Sequence, residues 1–377
     1  MIPIASTSKR FGVIALTLAA AVTAAVAAAQ PPRIDNARIT SQPAGSALGQ
    51  SIRALVAAQA DVAWIGYTVP VVDGQRMMCC FDSGSSWSNG TLIVSDGSAC
   101  CQACRLDPST STSMTTRPPQ SQGAVVKLEG SDLMTVLLRV SERQVDRVRV
   151  FSEDCRLDAG GRSVIWLENV RPADSVGYLE SLVAGQTGRD RVTDGAISAI
   201  ALHADAAADA SLERLVGQAQ PDRVRRAVPF WLGNARGRRG FDVLRRIVKD
   251  DPSTEVRKKA VFGLTQSKEA SAVETLIATA RTNDQTAVRG EAIFWLAQKA
   301  GRDAAAAITE RIEQDPDTEV KKRAVFALSQ LPKDEGVPLL INVARTHSNP
   351  AVRKQAMFWL GQSRDPRALD FFAEILK

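Results

Sequence analysis

Residues 251–264 read DPSTEVRKKAVFGL, and residues 315–328 read DPDTEVKKRAVFAL. The two segments are instances of a regularity that fills the C-terminal half of the chain. A valine recurs every 32 residues, at Val192, Val224, Val256, Val288, Val320 and Val352. The same interval joins Ala196, Val228, Ala260, Ala292, Ala324 and Ala356, and also Ile200, Leu232, Leu264, Leu296, Leu328 and Leu360. A second apolar set follows, from Leu212 through Leu244, Leu276, Ile308 and Leu340 to Phe372. Six copies without an insertion define a repeat array.

Spacing inside one unit predicts its secondary structure. Val256, Ala260 and Leu264 fall at i, i+4 and i+8, one face of a helix. Leu276 and Ala280, with Val273 and Ile277, supply the apolar face of a second helix, and the polar residues 266–271 separate the two. Each unit is therefore expected to be a pair of antiparallel helices. Asp251-Pro252, Asp315-Pro316 and Asn349-Pro350 stand just before first helices. Proline is tolerated there because the N–H it lacks would be unpaired in any case. Thr254-Glu255 and Thr318-Glu319 put a start residue and a negative charge into the first turn.

These segments, together with NPAVRKQAMFWLGQSRDPRALDFFAEIL at 349–376, resemble HEAT-type repeats, in particular the short variety found in phycobilisome lyase subunits. The resemblance covers roughly half the chain and implies a superhelical array; it carries no function, since a scaffold alone does not specify one. The basic residue after each valine, at Arg225, Arg257, Arg289, Lys321 and Arg353, matches the family arginine. By that resemblance it joins a polar ladder between neighbouring units. Six positions earlier stand Ala219, Asp251, Asn283, Asp315 and His347, of which only two are acidic, so a continuous ladder of ion pairs is not expected. The first unit has Thr193 in place of the basic residue and reads as a cap.

The chain is 377 residues long, with 45% apolar and 23% charged residues and a formal net charge of +6. These values describe an ordinary globular composition with room for two or three domains. The basic excess lies in the repeats and suits an acidic protein, an anionic surface or nucleic acid. Residues 1–29 read as a secretory signal peptide: Lys9-Arg10, an apolar stretch from Phe11, and small residues up to Ala29. Export implies a periplasmic or secreted protein with no stable membrane insertion after cleavage, and makes nucleic acid an unexpected partner.

Residues 30–49, with Pro31, Pro32 and Pro43, are read as a flexible lead-in, and 50–175 as a small, mainly-β domain. Its strands are expected at 61–72, ending near Pro70, at 77–81, 91–94 and 163–167, and as a hairpin, 133–140 and 145–151, around SERQ. In the hairpin Arg147 and Arg149 alternate with Val148 and Val150, giving one polar and one apolar face. Residues 108–123, PSTSTSMTTRPPQSQG, are expected to be a disordered loop.

All cysteines lie in this domain: Cys79, Cys80, Cys100, Cys101, Cys104 and Cys155. An even number in an exported chain points to structural disulfides, and sequence leaves fifteen pairings open. The C-x-x-C spacing of Cys101 and Cys104 is shared with redox dithiols, but no βαβ pattern surrounds it. His203 and His347 lie in the repeat half, away from the cysteines, which gives a metal site little support.

The expected architecture is thus an α+β multidomain protein, a small mainly-β domain followed by an all-α HEAT-like superhelical array over 185–377. The expected function is a non-catalytic scaffold or adaptor for an acidic protein in the bacterial cell envelope, needing no cofactor. Its docking stripe is read as Arg225, Arg226, Arg257, Lys258, Lys259, Lys321, Lys322, Arg353 and Lys354 on the first helices. The in-register aromatic residues Phe230-Trp231, Phe262, Phe294-Trp295, Phe326 and Phe358-Trp359 are read as packing between units. One alternative is an envelope enzyme or enzyme-maturation factor with an interdomain pocket lined by Arg149, Asp158 or Trp166; another is a structural envelope component.

Overall fold

The computed structural model describes residues 33–74, 86–88, 91–93, 104–107, 131–184 and 190–377. The N-terminal domain contains β1 (Ile34–Asp35), β2 (Arg38–Pro43), α1 (Leu48–Ala58), β3 (Ala63–Pro70), β4 (Ser86–Ser88), β5 (Thr91–Ile93), β6 (Cys104–Arg105), β7 (Leu133–Ser141), β8 (Gln144–Ser152), β9 (Leu157–Asp158), β10 (Ser163–Glu168) and α2 (Pro172–Ala184). Its main sheet has the order β2-β10-β3-β7-β8, with β10 parallel to β2 and β3, and β3, β7 and β8 antiparallel. A small sheet, β1-β9-β6, is parallel throughout. The β7–β8 hairpin turns at Glu142 and Arg143, both at positive φ (52° and 56°), the combination whose twist matches the flanking strands.

Strict alternation along the strands divides the domain's core in two. Ile65, Tyr67, Val136, Leu138, Val148, Ile165 and Leu167 face the helices, in a core continuous with that of the repeats. Trp64, Leu137, Phe151, Val164 and Trp166 face the small sheet, where they meet Leu106, Leu157, Cys104 and Cys155. Gly66 sits on this second face. A Cβ there would come within 2.8 Å of both Leu137 and Trp166, so the missing side chain makes room for the indole.

The structure corrects two readings. Residues 34–43 are not a flexible lead-in, for they form β1 and the edge strand β2. The polar content that suggested a lead-in belongs to a strand exposed along its whole length. The expected polar face of the β7–β8 hairpin is also covered. Arg149 is buried, donates to the carbonyls of Arg105 and Leu106 at 2.6 and 2.9 Å, and lies over the Phe151 ring. Cys104 and Cys155 are disulfide-bonded. Residues 1–29, the strand expected at 77–81, the loop 108–123, and Cys79, Cys80, Cys100 and Cys101 lie outside the described residues.

The repeat region consists of α3 (Asp190–Leu202), α4 (Ala206–Leu215), α5 (Asp222–Ala235), α6 (Gly237–Asp250), α7 (Thr254–Gln266), α8 (Ala272–Thr282), α9 (Thr286–Ala300), α10 (Ala305–Gln314), α11 (Thr318–Ser329), α12 (Lys333–Thr346), α13 (Pro350–Gln362) and α14 (Pro366–Ile375). The columns seen in sequence are its interior: Val256, Ala260, Leu264 and Leu276 are fully buried, as are their counterparts Val320, Ala324 and Leu328. Asp317 and Asn349 cap α11 and α13 through their side chains. Successive first helices, from α5 to α13, lie in extensive contact, whereas successive second helices scarcely meet. A stack packed more closely along one layer curves toward it, so the first helices form the inner side of the array. The closest approach is between α5 and α7, where a Cβ on Gly233 would lie 1.9 Å from the Gly263 carbonyl oxygen and one on Gly263 2.4 Å from that of Pro229.

The two halves are joined by packing and by a buried polar chain. Helix α3 lies on β8, backbone against backbone at Gly195 and Val148. The Val72 amide donates to the Leu202 carbonyl and the Ala204 amide to the Pro70 carbonyl. Beneath them Tyr67 Oη, Ser175 Oγ and His203 Nε2 form a chain of hydrogen bonds at 2.8 and 2.9 Å, while His203 Nδ1 meets the Ala199 carbonyl at 2.6 Å. A carbonyl can only accept, so Nδ1 carries the proton and Nε2 accepts from the Ser175 hydroxyl, which accepts from Tyr67. Burial lowers the His203 pKa to about 4 and raises that of Tyr67.

Candidate interaction surface on the repeat array

The basic column that follows each valine is largely consumed inside the array. Arg225, Arg257 and Arg289 are buried. Arg225 pairs with Asp251 of the next unit, and Arg289 pairs with Asp315 through two bonds of 2.9 and 3.1 Å. Arg257 donates to the Asp251 carbonyl and to Asp284 at 2.6 Å. Lys321 caps the end of α10 through the carbonyls of Ile312 and Glu313, and Arg353 bonds the carbonyls of His347 and Ser348.

The ladder expected to lapse at Asn283 and His347 is instead completed by reversing direction. Asn283 Nδ2 donates back to the Val248 carbonyl at 3.0 Å, and His347 Nε2 meets the Ile312 carbonyl at 3.1 Å. At the ladder position itself an aspartate receives the preceding arginine in one step, and an amide or imidazole reaches back to a carbonyl in the next, Arg257 there turning to the neighbouring Asp284. Neighbouring units are thus of two kinds, and the array repeats every second unit.

Four members of the expected docking stripe, Arg225, Arg257, Lys321 and Arg353, are therefore internal ladder residues rather than docking groups. Their cationic heads are held by backbone carbonyls, and at Arg225 and Arg257 by carboxylates as well. Lys258 and Lys322 are partly buried and paired with Glu255 and Glu319 one turn earlier, at 3.1 and 2.9 Å. The remaining stripe residues, Arg226, Lys259 and Lys354, are exposed, as is Arg323 beside Lys322. None of these four has an ion-pair partner among the described residues.

Between these cations runs an aromatic ribbon. Phe230 stacks on Phe262 at 6.0 Å, and Phe294 on Phe326 at 5.9 Å. Phe262 leads on to Trp295 at 4.7 Å, and Phe326 to Trp359 at 4.8 Å. Trp231, Trp295 and Trp359 meet the phenylalanine beside them edge to face, so the rings form one unbroken series across five first helices. Phe262 lies two residues from both Ala260 and Leu264, about 200° and 160° around a helix of 3.6 residues per turn. It therefore points away from the core. The rings from Trp231 to Trp359 are half-buried by one another, and Phe358 at the end of the series is 53% exposed. These residues do pack between units, as the sequence suggested, but on the solvent side of the inner layer. Trp295 Nε1 donates to Glu291 at 2.7 Å, whereas Trp359 Nε1 has no hydrogen-bond partner.

The residues considered for an interdomain pocket do not form one. Trp166 and Arg149 are buried on the face of the sheet turned away from the repeats. Asp158 lines a shallow cavity of about 430 Å³ with Asn36, Arg105, Asp107, Gly160 and Gly161, beside the small sheet. Among the described residues there is no cluster of side chains suited to hold a metal ion, and no helix is long and apolar enough to cross a membrane.

Residues 241–312 and 305–377 match the HEAT-repeat family. The starts of the two matches are two units apart. The C-terminal region is a HEAT-like α-solenoid following a mixed β-sheet domain. No curated protein matches the chain. Among solved structures, human deoxyhypusine hydroxylase is similar at 18% identity, over 53% of this chain and 77% of that one, with a TM-score of 0.24. The CpcE–CpcF complex of phycocyanin lyase from Nostoc sp. PCC7120 is similar at 20% identity, over 54% and 81%, with a TM-score of 0.28. The condensin Cnd3–Cnd2 subcomplex of S. pombe is similar at 18% identity, over 53% and 28%, with a TM-score of 0.34.

Proposed function

We propose that the chain is a non-catalytic protein-binding scaffold of the bacterial cell envelope that docks an acidic partner along the inner layer of its array. The observation that carries this reading is the contrast among the basic residues. The ladder arginines, Lys258 and Lys322 all have partners within the chain, while Arg226, Lys259, Arg323 and Lys354 remain exposed and without an ion-pair partner. Stacked repeats present such residues on an extended surface suited to a macromolecule rather than a small substrate. The envelope location rests on the leader-like residues 1–29 and on disulfide-bonded cysteines, which persist in oxidising compartments.

The test is capture of partners from an envelope extract by the immobilised protein, compared with the quadruple variant R226E/K259E/R323E/K354E. Loss of the captured acidic proteins on charge reversal is expected, while K258E/K322E, which strikes paired residues, retains most of them. Unchanged capture by the quadruple variant refutes the proposed surface.

A further inference from the structure

The aromatic ribbon and the cations beside it together favour one conformation of bound chain. We infer that the inner layer recognises an extended, acidic, proline-rich segment in the polyproline II conformation. The inference rests on the proposed role of the array in binding an acidic protein, and it adds which kind of segment is read.

Three observations converge. The first is composition: an apolar ridge with an unpaired positive charge on four of the five first helices that bear it, Arg226 on α5, Lys259 on α7, Arg323 on α11 and Lys354 on α13. The matching ligand alternates apolar groups with carboxylates.

The second is periodicity. Packed helices lie about 9 Å apart, so five first helices in a row span roughly 36 Å. A polyproline II helix advances about 9.3 Å in each three-residue turn. Every third residue of such a chain meets a successive helix of the array on the same face. A β-strand, which returns to one face about every 6.7 Å, falls out of step with the helices. The match extends over the four intervals between five helices, about twelve residues at one triplet for each.

The third is rigidity. The rings are braced against one another from Phe230 to Phe358, and the backbones of α5 and α7 are in contact, so the receiving surface is ordered before binding. A proline-rich ligand is stiff as well, and little chain entropy is lost when two preformed surfaces meet. Stacked nucleotides suit the ribbon less well, because the faces of Phe230 and Phe262 are turned toward each other at 17°, as those of Phe294 and Phe326 are at 3°.

The experiment titrates the protein with fluorescein-labelled twelve-residue peptides, reading anisotropy and the emission of the tryptophans. The probes are (Glu-Pro-Pro)4, (Glu-Ser-Ser)4 and (Lys-Pro-Pro)4, with a twelve-nucleotide oligothymidine as a second anion. (Glu-Pro-Pro)4 is expected to bind at least tenfold more tightly than any of the other three. F262A/F326A should remove that tenfold preference while leaving the weaker affinity for (Glu-Ser-Ser)4 unchanged. F358A, at the exposed end of the ribbon, provides a second variant in case the double substitution disturbs the array. Equal binding of (Glu-Pro-Pro)4 and (Glu-Ser-Ser)4 overturns the inference, as does tighter binding of the oligothymidine or a preference that survives both aromatic variants. If the two acidic peptides bind equally and R226E/K259E/R323E/K354E weakens both, docking of an acidic partner stands and only the proline-directed reading falls. If no acidic peptide binds, both readings fall.

Discussion

Replacing Gly195 by alanine should loosen the joint between the two domains, and the structure fixes the size of the effect. Gly195 lies within α3, where it faces β8. A Cβ built there falls 2.3 Å from the Val148 carbonyl oxygen and 2.9 Å from the Val148 Cβ. Restoring ordinary contact requires helix and strand to part by about 1 Å, and a gap of that size forfeits a quarter to a half of the dispersion energy of the contacts around it. Overpacking of this kind costs about 1–3 kcal/mol. Alanine in place of glycine inside a helix returns about 1 kcal/mol. A net loss of up to about 2 kcal/mol is expected, concentrated at the joint. Gly177 in α2 is the internal control, since a Cβ there meets nothing within 4 Å and G177A should collect the helix term alone. Urea unfolding measures the totals, and hydrogen exchange at the amides of β8 and α3 locates them. If G195A gains stability by as much as G177A, the close contact between α3 and β8 is not real.

Two further outcomes are expected. Substituting Arg289 with methionine strands the fully buried carboxylate of Asp315 and should cost about 3–5 kcal/mol, against less than about 1 kcal/mol for K258M at the surface; adding D315N to R289M should recover a large part of the loss, and a double variant as unstable as R289M would refute the pairing. The folded protein holds His203 neutral with a pKa near 4, below the ordinary 6.5, so the unfolded chain binds the extra proton between those values. The stability it contributes is complete above pH 6.5 and declines by about 3 kcal/mol as the pH falls to 4; urea midpoints at pH 7, 5.5 and 4, with H203Q as the comparison, would show no difference in slope if the imidazole were not buried.

The array was legible because its interior obeys a fixed interval. Val256, Ala260 and Leu264 needed only helical periodicity to be placed together, and all three are buried. The fate of the basic column was not legible in the same way. Arg257 and Lys258 are adjacent in sequence and alike in charge, yet one is buried against the Asp251 carbonyl and the other pairs at the surface with Glu255. What separates them is one 100° step around a helix together with the position of carbonyls from another helix, which local composition does not report.

The ribbon lay between these cases. The two-residue offset of Phe262 from the alanine and leucine columns already put it on the far side of the helix, and apolar character drew the reading inward. In the N-terminal domain, Arg38–Pro43 carries no apolar alternation because one edge strand needs only its parallel neighbour β10 to be held in place. Cys104 and Cys155 were recognisable as disulfide candidates, while their burial in the core between the two sheets depends on contacts made across the fold.

The reversal of the polar ladder at alternate units gives the array a parity. Excising one 32-residue unit would set Arg225 against Asn283 in place of Asp251, and would bring two Phe-Trp pairs side by side where a lone phenylalanine now separates them. Excising two units leaves every junction of a kind that already exists in the chain. Lengthening or shortening of this protein, by recombination or by design, is therefore tolerated in steps of 64 residues, and a reader of related arrays can tell a whole number of such steps from a broken one by whether the aspartates and tryptophans still alternate.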